Sequence, residues 1–206
     1  MMIEMITVGA FAENCYVAGC PDSSAAVVID PGDEIHRITD RIQQLGLQLK
    51  YILLTHAHID HVKELKAFQA LYDAPVLMHQ ADEFLLDNLA TQAAAFGLTT
   101  SGRPSIDRFI EEGDTVEFGN QRLSVFHTPG HSPGSITFTD QQSAFVGDVL
   151  FAGSIGRTDL PGGDMATLLT SIRDKLLPLG DDVIVYPGHG PSTTIGQERL
   201  SNPFLQ

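Results

Sequence analysis

The sequence has little positive charge and almost no cysteine. Twelve basic side chains face twenty-six acidic ones, and the formal charge of −14 repels a phosphate backbone, so we expect no nucleic-acid partner. The two cysteines, Cys15 and Cys20, are too few for a disulfide framework, and an isolated C-x4-C pair is poor metal spacing. We therefore expect free thiols in a reducing cytoplasm.

Long apolar runs and an export signal are also missing. Although 43% of the residues are hydrophobic, no run approaches the ~20 residues that a membrane-spanning helix needs. The opening MMIEMITVGAFAEN contains two acids, no base and no apolar stretch before a small-residue cleavage site. These absences predict a cytoplasmic protein without a membrane partner. A length of 206 residues predicts one domain over 1–206, as a monomer or weak homo-oligomer.

Short apolar runs bounded by turn signals alternate with segments of helical periodicity. The predicted strands are 2–8, 14–19, 25–29, 50–54, 75–78, 115–118, 121–127, 135–139, 144–147 and 183–186. The predicted helices are 35–45, 62–71, 80–96 and 165–176. The simplest architecture for this order is an α/β fold with two mixed β-sheets packed face to face and helices outside both.

Four of the predicted strands are followed closely by histidine or aspartate side chains. These potential metal ligands are His56, His58, Asp60 and His61 after the first strand, and then His131, Asp148 and His189 after the other three. The ends of neighbouring strands meet at one edge of a sheet, where a rigid scaffold can hold side chains and solvent can still enter. We therefore expect these residues to form one shared site.

The spacing of the first four ligands suits two metal ions. In an extended segment His56 and His58 point the same way, whereas Asp60 and His61, at the turn that opens a helix, can face a second position. Neutral imidazole and carboxylate suit divalent first-row ions, and no cysteine lies in the segment to favour thiolate chemistry. The pattern leaves zinc, iron and manganese open.

The segment Thr-His-Ala-His-Ile-Asp-His at 55–61, followed in order by His131, Asp148 and His189, resembles the metallo-β-lactamase fold hydrolases. More narrowly, nearly the whole chain resembles the short bacterial form of glyoxalase II, the hydroxyacylglutathione hydrolases. That resemblance includes the segments DKLLPLGDD at 174–182 and NPFL at 202–205. It implies a metallo-β-lactamase-like αβ/βα sandwich, in agreement with the order of predicted elements.

The same resemblance implies a metal-dependent hydrolase of glutathione thioesters such as lactoylglutathione. A first metal would be held by His56, His58 and His131, and a second by Asp60, His61 and His189. Asp148 and a hydroxide would bridge the two divalent ions, with zinc expected and iron or manganese as alternatives. Asp60 and Asp148 would then belong to the catalytic set, with the bridging hydroxide as nucleophile.

Substrate contacts are less well defined by the sequence. Arg157 lies in the loop after Asp148, and by resemblance it corresponds to a basic glutathione contact. The alternative is an ordinary ion pair with Asp159. The longer glyoxalase II form has a helical C-terminal extension, whereas this chain stops 17 residues after His189 and has Pro191 where that form has tyrosine. Acyl and thiol specificity therefore stay open.

Two other functions compete with the hydrolase. A persulfide dioxygenase of the same superfamily would use one iron on His56, His131 and Asp148, and the segment Gly-Arg-Thr-Asp at 156–159 also resembles that group. A non-catalytic module that holds metal and recruits a partner is the third possibility. The resemblance of the C-terminal segments to short glyoxalase II favours the hydrolase.

Overall fold

A computed structural model describes residues 1–206, and its N-terminal half builds a six-stranded sheet whose strand order follows the sequence. The strands are β1 (Met2–Val8), β2 (Glu13–Gly19), β3 (Ala25–Ile29), β4 (Gln48–Leu53), β5 (Val76–Met78) and β6 (Arg108–Phe109). The first three pair antiparallel and the last four parallel. Parallel neighbours need crossovers. These carry α1 (Ile35–Gln44), α2 (Ile59–Val62), α3 (Leu65–Gln69), α4 (Glu83–Asp87) and α5 (Leu89–Ala95).

The C-terminal half builds a second six-stranded sheet and a small hairpin. Its strands are β7 (Thr115–Phe118), β8 (Gln121–His127), β9 (Ile136–Thr139), β10 (Ser143–Gly147), the hairpin pair β11 (Leu150–Phe151) and β12 (Ser154–Ile155), β13 (Ile184–Pro187) and β14 (Thr193–Thr194). The sheet order is β14-β13-β10-β9-β8-β7, and only β10 and β13 pair parallel. The helices are α6 (Met165–Ser171) and α7 (Ile195–Ser201).

The core lies in three layers, which explains why the central strands are apolar on both faces. In β3, Val27 and Ile29 pack between the two sheets, whereas Val28 packs against the helices of the first half. The space between the sheets also takes Phe138 and Phe145 from the second sheet, and a third cluster lies under α6 and α7. Strands covered on both faces need continuous apolar runs. The predicted αβ/βα sandwich with two facing mixed sheets is confirmed.

The predicted helices differ most from the observed ones. Residues 80–96 form a 3₁₀ turn (Gln80–Asp82) followed by α4 and α5 instead of one helix. The break lies at Asn88, whose side chain donates to the carbonyl of Phe84 at 2.7 Å and so competes with the backbone. The predicted helix 165–176 is α6 followed by a π-helical segment (Ile172–Leu176), and a 3₁₀ turn containing Pro178 comes after it.

The cysteines and the helix lengths bear on two of the expectations. Cys15 and Cys20 are both buried, and both are free thiols, as predicted. None of the helices has the length and apolar character that crossing a bilayer requires.

Candidate metal centre

The structure brings all seven predicted ligands together at one edge of the sandwich. They follow β4 in the first sheet, and β8, β10 and β13 in the second. The turn after β13 lies so close to Asp148 and His61 that residue 188 must be glycine, because a Cβ there would collide with Asp148 Oδ1 and His61 Cε1. The turn after β13 therefore carries His189 to the site only because residue 188 has no side chain.

His56, His58 and His131, called the first group below, lie with their ring nitrogens next to one another. The distance from His58 Nδ1 to His131 Nε2 is 2.8 Å, and from His131 Nε2 to His56 Nε2 it is 3.2 Å. All three residues are buried. Two of the three histidines come from the segment after β4 and the third from the loop after β8, so the first group joins the two sheets.

In His56 and His131, the hydrogen bond on the far side of the ring defines which nitrogen is free. His131 Nδ1 lies 2.8 Å from the carbonyl oxygen of Arg157 and donates to it. His56 Nδ1 lies 3.1 Å from Thr55 Oγ1, which already donates to Asp30 and therefore accepts here. The Nε2 atoms of His56 and His131 thus present lone pairs to each other at 3.2 Å. Such an arrangement is repulsive unless a cation lies between them.

Asp60, His61 and His189, called the second group below, form a neighbouring cluster. His189 Nε2 lies 3.1 Å from Asp60 Oδ2, and His61 Nε2 lies 3.9 Å from the same oxygen. Their far nitrogens also donate to oxygens: His61 Nδ1 to Asp30 Oδ2 at 3.0 Å, and His189 Nδ1 to the carbonyl of Phe11 at 3.1 Å. Both imidazoles therefore turn Nε2 toward the site.

Asp148 lies between the two groups and contacts both. Its carboxylate is 3.6 Å from His131 Nε2 in the first group, and 3.4 Å from both His61 Nε2 and His189 Nε2 in the second. His61 Nε2 and Asp148 Oδ1 are buried polar atoms without a hydrogen-bond partner. Bound divalent cations would satisfy these atoms and the facing lone pairs, so the residues present fit a metal centre.

The electrostatics of the two groups differ. Burial lowers the pKa of His58 to about 3, and burial together with the neighbouring His61 holds the pKa of His56 well below its usual value. In the second group burial also acts to lower the pKa of His189, but hydrogen bonds to Asp148 and Asp60 outweigh it and raise that pKa to about 10. His56 and His58 are therefore uncharged at neutral pH, whereas His189 carries an extra proton when no metal is bound.

Asp30 is a site residue that the sequence reasoning missed, because Asp-Pro-Gly at 30–32 indicates only a turn. Its carboxylate accepts from the backbone N–H of Thr55 at 2.7 Å, from Thr55 Oγ1 at 2.6 Å and from His61 Nδ1 at 3.0 Å. It therefore orients a ligand from each group. One signal was available: Asp30 directly follows β3, which pairs parallel with β4, so both strands end at the edge where His56 lies.

Glu13 was also missed. It is buried beside His61, its Oε1 lies 3.7 Å from His61 Nδ1, and neither of its carboxyl oxygens has a hydrogen-bond partner. Its backbone forms an isolated antiparallel bridge with His189. Nothing in the segment Ala-Glu-Asn-Cys-Tyr at 12–16 distinguishes this glutamate from a residue at the start of an ordinary strand.

A cavity of about 410 Å³ opens over the two groups. Its wall is mainly apolar and includes Phe151, Leu160 and an edge-to-face pair of Phe11 and Phe96 with ring centroids 5.2 Å apart. Two larger surface depressions, of about 740 and 520 Å³, contain none of the seven ligands. The candidate site is therefore identified by its metal-ligating side chains and not by the volume of its cavity.

Arg157 lines this cavity, but its guanidinium is paired. Its Nε and Nη2 atoms each lie 2.7 Å from an oxygen of Asp159, and its side chain is 57% exposed. The ion pair that we considered as the alternative role is thus present, while the position at the cavity also suits the substrate contact. The backbone carbonyl of Arg157 has a separate role, since it accepts the hydrogen bond from His131.

Fold and site together define a class. The family model of the metallo-β-lactamase superfamily matches residues 8–189, and the chain belongs to this superfamily, whose members bind metal ions. It is 45% identical to the hydroxyacylglutathione hydrolase GloC of Haemophilus influenzae over 214 aligned positions, which cover 100% of this chain and 98% of that protein.

Solved structures agree with this assignment. A B3 metallo-β-lactamase, BLEG-1, has a TM-score of 0.91 and 40% identity over 100% of both chains. TTHA1623, solved in a di-iron-bound form, has a TM-score of 0.90 and 42% identity over 98% of this chain and 100% of its own. ETHE1 from Myxococcus xanthus has a TM-score of 0.83 and 27% identity over 98% of this chain and 84% of its own.

Proposed function

We propose that this protein is a binuclear metal-dependent hydrolase of glutathione thioesters. The observation that carries the proposal is the position of Asp148, whose carboxylate contacts imidazoles of both groups and so can be shared by two cations. The 45% identity to a hydroxyacylglutathione hydrolase over the full chain supports the substrate class. Two lines of support therefore agree: two groups of ligands that could each hold a metal ion, and a relative that is named a hydroxyacylglutathione hydrolase.

In this proposal the first group would hold one ion, the second group would hold the other, and Asp148 would contribute to both. Divalent ions in such a pair lower the pKa of bound water toward neutrality and polarise a carbonyl oxygen. The nitrogen and oxygen donors suit zinc, with iron or manganese as alternatives, and TTHA1623 was solved with two irons.

The protein's own residues then fix the geometry of attack. The side chain of Asp60 is 17% exposed and lies at the cavity, so its carboxylate can accept a hydrogen bond from the attacking water and orient it. Asp148 is ionised: burial acts to raise its pKa, but the charge of His61 together with hydrogen bonds from His189 and His61 outweighs burial and holds that pKa well below its usual value. Two carboxylates therefore face the reacting centre in their acceptor form.

A thioester suits this site because its leaving group needs no proton donor. A thiolate with an ordinary pKa of about 8.5 departs unaided, unlike an amide nitrogen. The only Arg or Lys at the cavity, Arg157, does not titrate near neutral pH, and it suits a different task. We propose that its guanidinium releases Asp159 and binds a carboxylate of the glutathione portion in its place.

The persulfide dioxygenase is retained as a second candidate because ETHE1 of Myxococcus xanthus shares the fold at 27% identity. In that case one iron would lie on His56, His131 and Asp148. The second group argues against it, since Asp60, His61 and His189 form a further set of metal-type donors beside Asp148 that a single iron would leave unused.

Elemental analysis combined with two assays tests the proposal. Purified protein should contain two divalent ions per chain and hydrolyse S-lactoylglutathione without consuming oxygen in the presence of glutathione persulfide. Asp60→Asn should lose the ion of the second group and lower the hydrolysis rate by about 100-fold or more. Asp40→Asn on the exposed face of α1 serves as the control and should behave as the parent.

Other outcomes point to other functions. One iron per chain with oxygen uptake would replace the hydrolase by the dioxygenase. Two ions per chain without either activity would favour a non-catalytic metal-holding module. Hydrolysis of a β-lactam, the reaction for which BLEG-1 is named, in place of the thioester would change the substrate class while keeping the metal centre.

A further inference from the structure

One buried carboxylate outside all of the metal-binding segments contacts two of them. Asp82 ends the 3₁₀ turn after β5, and its side chain is completely buried. Its Oδ2 accepts from the backbone N–H of Ala57 at 3.1 Å and from Ser132 Oγ at 2.7 Å, while Oδ1 accepts from the backbone N–H of Gly134 at 2.6 Å. Both oxygens are therefore engaged.

The donors belong to the two loops that carry the first group. Ala57 lies between His56 and His58, and Ser132 directly follows His131. These loops come from different sheets and are more than 70 residues apart along the chain. Asp82 thus joins the segment that provides two imidazoles to the segment that provides the third.

The contact with the second loop is built at close range. A Cβ at Gly134 would collide with the carboxyl group and the backbone nitrogen of Asp82, so the loop reaches this carboxylate only because residue 134 is glycine. Ser132 Oγ also lies 2.8 Å from Ser135 Oγ, which fixes the hydroxyl that faces Asp82. Three donors in fixed positions hold one buried carboxylate, and hydrogen bonds to an ionised group are about twice as strong as neutral ones.

The second group has separate supports. His61 is held by Asp30, and His189 is held by the carbonyl of Phe11. Neither support contacts Asp82, whose side-chain hydrogen bonds all go to residues 57, 132 and 134. A change at Asp82 can therefore act on one group without acting directly on the other.

We propose that Asp82 is a positioning residue that sets the separation of His56 and His58 from His131, and thereby the affinity of the first group for a divalent cation. Its effect on the second group is small. The inference concerns metal binding alone, so it holds for a thioesterase, a dioxygenase or a metal-holding module alike.

Asp82→Asn is the direct test, because asparagine keeps the shape but replaces one acceptor oxygen with an NH₂ that faces N–H or O–H donors. Metal-free protein is titrated with Co²⁺ against a chromophoric chelator, and the two stepwise affinities are compared with the parent. A His189→Ala background, which weakens the second group, assigns the remaining step to the first group. We expect about a 10- to 100-fold loss of affinity at the first group, and less than about a threefold change at the second.

Two further variants separate positioning from a general loss of stability. Asp107→Asn makes the same carboxylate-to-amide change at a side chain that accepts from the backbone N–H of Val76, away from both ligand loops, and should leave both affinities unchanged. Ser132→Ala removes only one of the three donors and should give a smaller, selective loss at the first group. The intensity of the Co²⁺ absorption bands in each variant reports the geometry of the occupied group independently of activity.

Parent-like affinity of Asp82→Asn at the first group would overturn the inference, as would an equal loss at both groups that follows the melting temperature of the metal-free protein. If Asp82→Asn does not fold, Ser132→Ala decides: an unchanged first-group affinity overturns the proposal, and a selective loss supports it.

Discussion

The two groups of ligands should respond differently to pH, because protons compete with a metal only where they are bound. In the first group, burial lowers the pKa of His58 to about 3 and that of His56 well below its usual value. In the second group the pKa of His189 is about 10, since its hydrogen bonds to Asp148 and Asp60 outweigh burial. The pKa of His61 is also raised: burial acts to lower it, but the negative charges of Asp60 and Asp148 outweigh burial.

The sign and size of the effect follow from these values. Lowering the pH from 8 to 6 protonates neither His56 nor His58, so these two ligands add no pH dependence to the metal affinity of the first group. At the second group every proton that the metal displaces weakens binding tenfold per pH unit below the pKa of its ligand. His189 alone should therefore cost about 100-fold in affinity between pH 8 and pH 6, and proton release from His61 adds to this.

Competition titrations with Zn²⁺ or Co²⁺ and a chromophoric chelator at pH 6, 7 and 8 measure both steps. The logarithm of the affinity of the second group should rise by at least one per pH unit, and the affinity of the first group should depend less steeply on pH. Replacing His189 by alanine removes one displaced proton, so the slope of the logarithm of the second group's affinity against pH should fall by about one. Equal slopes for the two steps, or a slope that is unaffected in His189→Ala, would refute the assignment of protons to the second group.

Three further predictions concern the shared carboxylate and the cavity. Asp148→Asn should lower metal content and turnover together, and a variant that keeps two ions and the full rate would remove the bridging role. Arg157→Ala should raise KM for an acylglutathione more than it lowers kcat, and an unchanged KM would exclude a substrate contact. Phe96→Ala removes an aromatic ring from the apolar wall of the cavity, where a contact with an aromatic acyl group would be worth about 0.5–1.5 kcal/mol. Steady-state kinetics should show a several-fold higher KM for a phenylacetyl thioester and little change for lactoyl, whereas equal changes for both would contradict an acyl-binding wall.

The sequence predicts most of the fold because the central strands are covered on both faces. A strand such as β3 must be apolar throughout, since Val27 and Val28 pack into different layers, and such a run is visible without a structure. The short strands β6, β11, β12 and β14 were not predicted, because two residues are too few to show a period. Their pairing depends on the neighbours that the fold brings to them.

The seven ligands were found because histidine and aspartate after strands are rare enough to form a pattern. The acids that support them were not found, since their segments indicate only ordinary secondary structure: a turn for Asp30, a helix for Asp82 and the start of a strand for Glu13. Their roles depend on contacts with distant residues: Asp82 reaches a serine 50 positions away. A single sequence gives the types of the ligands and not the partners that orient them.

The orientation of the ligands has a consequence for Arg157. Four imidazoles, those of His56, His61, His131 and His189, each donate through Nδ1 to an oxygen of a different residue, and for His131 that oxygen is the backbone carbonyl of Arg157. The side chain of the same residue lies at the cavity and pairs with Asp159. Replacing Arg157 by alanine leaves the carbonyl in place, so the metal centre keeps its geometry while the cavity loses its guanidinium. A rise in KM with parent-like metal content would therefore measure substrate binding, whereas a loss of metal would mean that the loop itself had moved away from His131.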